Sequence, residues 1–258
     1  MVDWEGPFDG GVEAPEGLDP APPARAVPAS VPDRLRALCE TVPGRRVFTT
    51  SFGIEDQLIA HHILSDGLSI EVVTLDTGRL FPSTYAVWQA TEERYGARIR
   101  AYYPDSAAVA AMVADAGING FYFSKAARIA CCGVRKVEPL SRALAGAAAW
   151  VTGLRSDQSG DRAAVPLSGW DEERALVKLA PLFDWTRERV AAECAALAIP
   201  VNALHAEGFL SIGCQPCTRA VEPGEPERAG RWWWEADGAR ECGLHVGADG
   251  RLVRSKAA

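Results

Sequence analysis

Two short cysteine pairs carry the strongest chemical signal in this chain: Cys131-Cys132, followed at once by Gly133-Val134-Arg135-Lys136, and Cys214-Gln215-Pro216-Cys217. Neighbouring Cα atoms lie only about 3.8 Å apart. Two adjacent thiols can therefore converge on one inorganic centre, and the C-x-x-C pair can close its other side. Four cysteine ligands suit either a structural zinc ion or a 4Fe-4S cluster. Zinc ribbons leave room for a turn between the two ligands of each knuckle, which an adjacent pair does not, so the spacing favours iron-sulfur. A strained vicinal disulfide at Cys131-Cys132 and two unrelated buried pairs are the competing readings.

The chain has seven cysteines. Cys39 falls on the apolar stripe Leu35, Leu38, Val42, and Cys194 on the stripe Val190, Leu197, so both read as small core hydrophobes. Cys242 stands alone in Glu241-Cys242-Gly243-Leu244-His245, after a glycine-rich stretch without regular patterning. It is a candidate nucleophile on a mobile tail, set against the reading of an exposed, incidental thiol.

Elements that could position these groups alternate along the chain. Arg46 to Thr50 reads as a strand running through Ser51-Phe52-Gly53-Ile54-Glu55-Asp56 into a helix over Gln57 to Leu64. Ile70 to Leu75 is a second strand, with the turn Asp76-Thr77-Gly78-Arg79 and a helix from Pro82 to Tyr95. Ile99 to Tyr103 and an alanine-rich helix from Asp105 form a third unit. A helix is expected over Arg135 to Ala145, a strand over Ala149 to Thr152, a strand over Ala175 to Leu179 and a helix over Thr186 to Ala198. His61 and His62 sit mid-helix without a metal pattern and read as structural. The alternation predicts an α/β fold with a doubly wound, mainly parallel sheet.

Ligands in such sheets bind beyond the carboxyl ends of the strands. The turns at Ser51 to Asp56, Leu75 to Arg79 and Gly153 to Arg162 all fall there, and the first aims helix N-terminal N-H groups at an anion. Composition narrows the partners. A net charge of -7 disfavours broad nucleic-acid or membrane-surface binding, so an anionic ligand must be held by local cations. No apolar run approaches the roughly 18 residues of a membrane span, and the N-terminus lacks a signal-peptide layout, making a cytoplasmic location the expectation. The Gly/Pro/Ala-rich stretch 1-30 is expected to be a disordered tail.

Taken together, Thr50-Ser51-Phe52-Gly53-Ile54-Glu55-Asp56, Leu75-Asp76-Thr77-Gly78-Arg79, Gly153-Leu154-Arg155 through Gln158-Ser159, Gly230-Arg231-Trp232-Trp233-Trp234 and Glu241 to His245 resemble the sulfonucleotide reductases of assimilatory sulfate reduction. The resemblance implies the adenine-nucleotide alpha-hydrolase-like (PP-loop) fold. Residues 31-205 would form the nucleotide-binding domain, and 206-258 a segment that completes the cysteine set and carries the mobile catalytic tail. It further implies a 4Fe-4S cluster on Cys131, Cys132, Cys214 and Cys217. Members with those cysteines generally reduce adenosine 5'-phosphosulfate (APS), and members without them its 3'-phosphorylated form (PAPS). By the same match Lys136, Arg228 and Arg231 contact the phosphosulfate, and Ser51, Gly53, Asp56, Leu75, Thr77, Gly153 and Arg162 line the nucleotide site. Cys242 would attack the sulfur, its thiolate favoured by Arg240 and His245. With no resolving thiol left in the chain, thioredoxin or glutaredoxin would complete turnover, and the resemblance points to thioredoxin and to a homo-oligomer. The rivals are PAPS or dual use, an RNA-thiolating PP-loop protein, and an iron-sulfur sensor or binding module. The tryptophans 232 to 234 read as a plug at a domain edge or oligomer contact, against stacking on adenine.

Overall fold

The computed structural model describes residues 30–235. The expected tail up to residue 29, and Cys242 with Arg240 and His245, lie outside the described residues.

Six strands form one sheet: β1 (Arg45–Thr50), β2 (Glu71–Leu75), β3 (Arg100–Tyr102), β4 (Ala147–Val151), β5 (Ser168–Asp171) and β6 (Leu176–Leu179). Their spatial order is β3-β2-β1-β4-β6-β5, parallel except for the β5-β6 pair. The chain winds outward from β1 to β3 and then returns to the other side of β1. The crevice between β1 and β4 is thus the point where strand order reverses, the usual ligand position in such sheets.

Alternate residues of the central strands face opposite layers, and both layers are apolar. On one face Phe48, Val72, Ala149, Val151 and Leu179 pack under α1 (Val31–Thr41), α2 (Ile54–Ser65), α3 (Pro82–Tyr95) and α7 (Arg187–Ala196). On the other, Val47, Val73 and Trp150 meet Leu140, Ala143 and Leu144 of α6 (Glu138–Leu144). Cys194 is 2% exposed in the first layer and Cys39 packs against it. His61 sits 2.9 Å from the Tyr95 hydroxyl.

Helix starts follow their caps. Ser30, Asp105, Ser124 and Thr186 side chains accept N-H groups of the first turns of α1, α4 (Ser106–Ala116), α5 (Lys125–Cys132) and α7. Two elements differ from expectation. The Ser-Gly-Trp-Asp stretch forms β5, held by its antiparallel register on β6 rather than by apolar alternation of its own. The helix expected from Arg135 instead begins at Lys125, places both adjacent cysteines in its last turn, passes through a π-helical turn at Gly133–Val137 and resumes as α6.

Candidate active site

The turn after β1 is tight. Thr50 Oγ1 accepts the Phe52 N-H at 3.0 Å, and Phe52 adopts a left-handed φ of 59°. Such a conformation costs a non-glycine residue about 1–2 kcal/mol. Burial of the ring against Trp88, centroids 5.4 Å apart, offsets it. The Asp56 carboxylate accepts both the Ser51 N-H at 2.6 Å and the Ser51 hydroxyl at 2.7 Å. Burial nevertheless pushes its carboxyl up to about 6. In the loop just after β4, a Cβ on Gly153 would collide with Asp56 Oδ1, so only glycine lets this turn and α2 approach so closely.

These turns wall a cleft at the carboxyl ends of β1, β2 and β4. The sequence-predicted residues Ser51, Gly53, Asp56, Leu75, Lys136, Gly153, Arg162, Arg228 and Arg231 all line it. Thr77 is not among the lining residues. It is fully buried, its hydroxyl 3.3 Å from Cys214 Sγ and its carbonyl accepting Arg135 Nη1 at 2.7 Å, so it faces the cysteines from beneath the cleft.

The two distant cysteine pairs meet. Cys217 is buried with Phe121 and Trp232, and Cys131, Cys214 and Trp234 pack against that cluster. Cys132 lies within reach of the Arg128 guanidinium, which is paired with Glu235 at 2.8 Å and stacked over Trp232 at 4.4 Å. Trp232 thus plugs the cysteine cluster, while Trp233 stays 39% exposed. Burial, with Cys214 adding to it, pushes the Cys217 thiol up to about 11 against the pull of Arg231 and Lys136. Burial likewise raises Cys131, opposed by Arg135. Thiolates are stable here only with added positive charge.

The donors around the cysteines fit an iron-sulfur cluster, whose irons would supply that charge and whose sulfurs would accept hydrogen bonds. Arg231 Nε, Trp232 Nε1 and Trp234 Nε1 are buried without a hydrogen-bond acceptor among the described residues. Orphaned buried donors are rare in proteins, and here the two indoles belong to the cluster that holds three of the four sulfurs, with the Arg231 guanidinium 4.7 Å from the Trp232 ring. No set of three His, Cys, Asp or Glu side chains among the described residues is disposed to hold a single metal ion. A cluster presents each of its irons to a separate cysteine and does not require that disposition. Lys136 is the link between the two halves of the site: it lines the cleft, and its charge reaches Cys217.

Several participants were not evident from the sequence. Arg155 is completely buried, with Glu55 at 2.9 Å, Glu227 at 2.7 Å and Asp157 also paired to it. Gly213 hosts the Arg231 guanidinium, which a Cβ would meet at 2.3 Å. His205 lines the cleft. Arg135 had a local signal, its place beside Lys136. Arg155 had its place on the strand-end loop Gly153 to Arg162, which does not foretell its remote partners Glu55 and Glu227, and Glu227 and His205 had no signal.

Comparison with known proteins agrees with this geometry. A profile described as the phosphoadenosine phosphosulfate reductase domain matches residues 45–220. The adenosine 5'-phosphosulfate reductase of Sinorhizobium fredii is 60% identical over 210 residues, covering 81% of this chain and 84% of that protein. The protein of the same name from Allochromatium vinosum is 50% identical over 199 residues, covering 77% and 78%. Among solved structures, the phosphoadenylyl-sulfate reductase of Candida auris, in complex with phosphate, superposes with a TM-score of 0.64 at 26% identity, covering 74% of this chain and 90% of that one. With a cleft at the switch point of a PP-loop-like sheet and similarity on this scale, the chain belongs to the APS/PAPS sulfonucleotide reductase family.

Proposed function

We propose that this enzyme reduces APS to sulfite and AMP, within sulfate assimilation leading to cysteine biosynthesis, and that thioredoxin supplies the electrons. The observation that carries the reading is the junction at Lys136, where a cationic cleft abuts the gathered cysteines. The names of the bacterial relatives support APS as the substrate.

In this proposal the nucleotide lies along the Ser51, Gly53, Asp56, Leu75, Gly153 and Arg162 wall, and Lys136, Arg228 and Arg231 bind the phosphosulfate oxygens. The Cys242 thiolate attacks the sulfur. The bond from sulfur to the bridging oxygen breaks, AMP leaves with the electron pair, and Cys242 becomes an S-sulfonate. A thioredoxin thiolate then attacks the Cys242 sulfur and displaces sulfite, and its second thiol resolves the mixed disulfide, so that two electrons are delivered. Cys131, Cys132, Cys214 and Cys217 would hold a 4Fe-4S cluster, which when bound supplies fixed charge beside Lys136. No helix among the described residues is long and apolar enough to cross a membrane. A cytoplasmic homo-oligomer completes the proposal, and sedimentation checks the assembly.

The test begins with protein purified without oxygen. Four irons and four acid-labile sulfides per chain are expected, with sulfite formed from APS faster than from PAPS when thioredoxin is present. Cys242→Ser is expected to keep its iron and bind APS without forming sulfite. Preference for PAPS would reassign the substrate, one zinc per chain would remove the cluster, and iron without turnover of either nucleotide would favour a sensor or binding module.

A further inference from the structure

His205 sits in a 3-10 turn, Ala203–Glu207, that Asn202 caps by accepting the Leu204 N-H at 3.1 Å. Gly208, at a left-handed φ of 84°, reverses the chain and brings the Phe209 carbonyl to 2.8 Å from His205 Nδ1. Arg187 Nη2 lies 3.4 Å from the same nitrogen. The carbonyl only accepts and Arg187 Nη2 only donates, and because the carbonyl is the nearer of the two we assign the proton to Nδ1. Burial, together with that cation, lowers the imidazole pKa and keeps the ring neutral.

This tautomer leaves a lone pair on Nε2. The atom is buried and has no hydrogen-bond partner among the described residues, although His205 lines the cleft. The phosphosulfate end of the substrate offers only acceptors and is matched by Lys136, Arg228 and Arg231 on the same cleft. An imidazole lone pair cannot serve that end. We propose that His205 Nε2 accepts a hydrogen bond from a donor on the nucleoside half of the substrate, either the exocyclic amine of adenine or a ribose hydroxyl. His205 thereby fixes which way round the nucleotide lies in the cleft.

The inference rests on the nucleotide-binding reading of the cleft, and the experiment separates the two. AMP, IMP, 2'-deoxy-AMP and 3'-deoxy-AMP are titrated calorimetrically into the full-length enzyme, into His205→Phe, which keeps a ring without an acceptor, and into His205→Gln, which keeps an acceptor. Wild type is expected to bind the analogue lacking the partnered donor about tenfold more weakly than AMP. In His205→Phe, AMP falls to that same level and the discrimination vanishes, while His205→Gln retains part of it. Loss of discrimination for IMP identifies the amine, and for a deoxy analogue the hydroxyl. Equal binding of all four nucleotides to wild type, or unchanged discrimination in His205→Phe, overturns the inference. Failure of AMP to bind wild type overturns the reading of the cleft itself. Nitrogen-15 NMR of histidine-labelled wild type needs no variant: an Nε2 resonance that shifts upfield with AMP supports the hydrogen bond, and one that stays in place refutes it.

Discussion

Arg155 and Glu227, 72 positions apart in the chain, meet through a 2.7 Å hydrogen bond from Nη2 to Oε2. The same guanidinium holds Glu55 at the start of α2, so one buried cation ties the first strand-end turn to the segment bearing Arg228 and Arg231. Arg187 stands 3.5 Å from the other Glu227 oxygen. Removing the hub leaves Glu55 and Glu227 on the wall of the cleft without the buried cation they share. Arg155→Ala is therefore expected to cost about 3–5 kcal/mol in urea denaturation. Glu227→Gln preserves the shape and is expected to act mainly on the KM for the sulfonucleotide, by loosening Arg228. A change confined to stability would deny it that positioning role.

At the β4 turn the absence of a side chain is what admits Asp56. Gly153→Ala drives a methyl group onto Asp56 Oδ1 and to 3.3 Å from Glu55 Cβ. Overpacking of this kind costs about 1–3 kcal/mol. We expect AMP binding to weaken at least tenfold, read by calorimetry.

The Asp56 carboxyl also predicts a pH dependence. Burial raises it from the ordinary 3.8 to about 6. Between those values the folded chain retains a proton that the unfolded chain has released, so stability falls as pH rises through the window and is level above it. The amplitude is about 3 kcal/mol. Asp56→Asn, which cannot ionise, is expected to gain on wild type by that order between pH 4 and pH 7 in chemical denaturation. Parallel stability curves for the two proteins would contradict this account.

Gly213 offers a way to disturb Arg231 without removing it. A Cβ there meets the guanidinium carbon at 2.6 Å as well as both terminal nitrogens. Gly213→Ala should lower kcat by about an order of magnitude through misplaced charge, with AMP affinity held within twofold. Loss of AMP binding in parallel would mean that Arg231 serves the nucleotide and not the sulfonate.

Much of this architecture was legible because it depends on local pattern. Runs such as Val47-Phe48 and Val72-Val73 bury both faces of a strand, and the polar turns after Thr50, Leu75 and Val151 mark the ends where the cleft opens. The edge strand β5 was not legible, since Ser168-Gly169-Trp170-Asp171 takes its conformation from a partner strand. The start of α5 was missed because Lys125–Cys132 spans only about two turns, too few for a helical period to declare itself, although the Ser124 cap was available. Thr77 was placed with the substrate by its turn's match to the family motif. Its direction toward Cys214 depends on a segment 137 positions away.

The π-helical turn at Gly133–Val137 has a consequence for how this site tolerates change. Such turns behave as one-residue insertions into an α-helix, with poorer hydrogen-bond geometry than the helix they interrupt. Deleting one residue there would carry Pro139, which opens α6 and has no N-H to give, into the interior of a regular helix, at a cost of about 3 kcal/mol. The same deletion would rotate everything on one side of it by about 100°, taking Lys136 away from either the cleft or the cysteines. The helix and the site therefore both depend on keeping this turn. In a scan of single-residue deletions along α5 and α6, it is the place where stability and activity should be lost together.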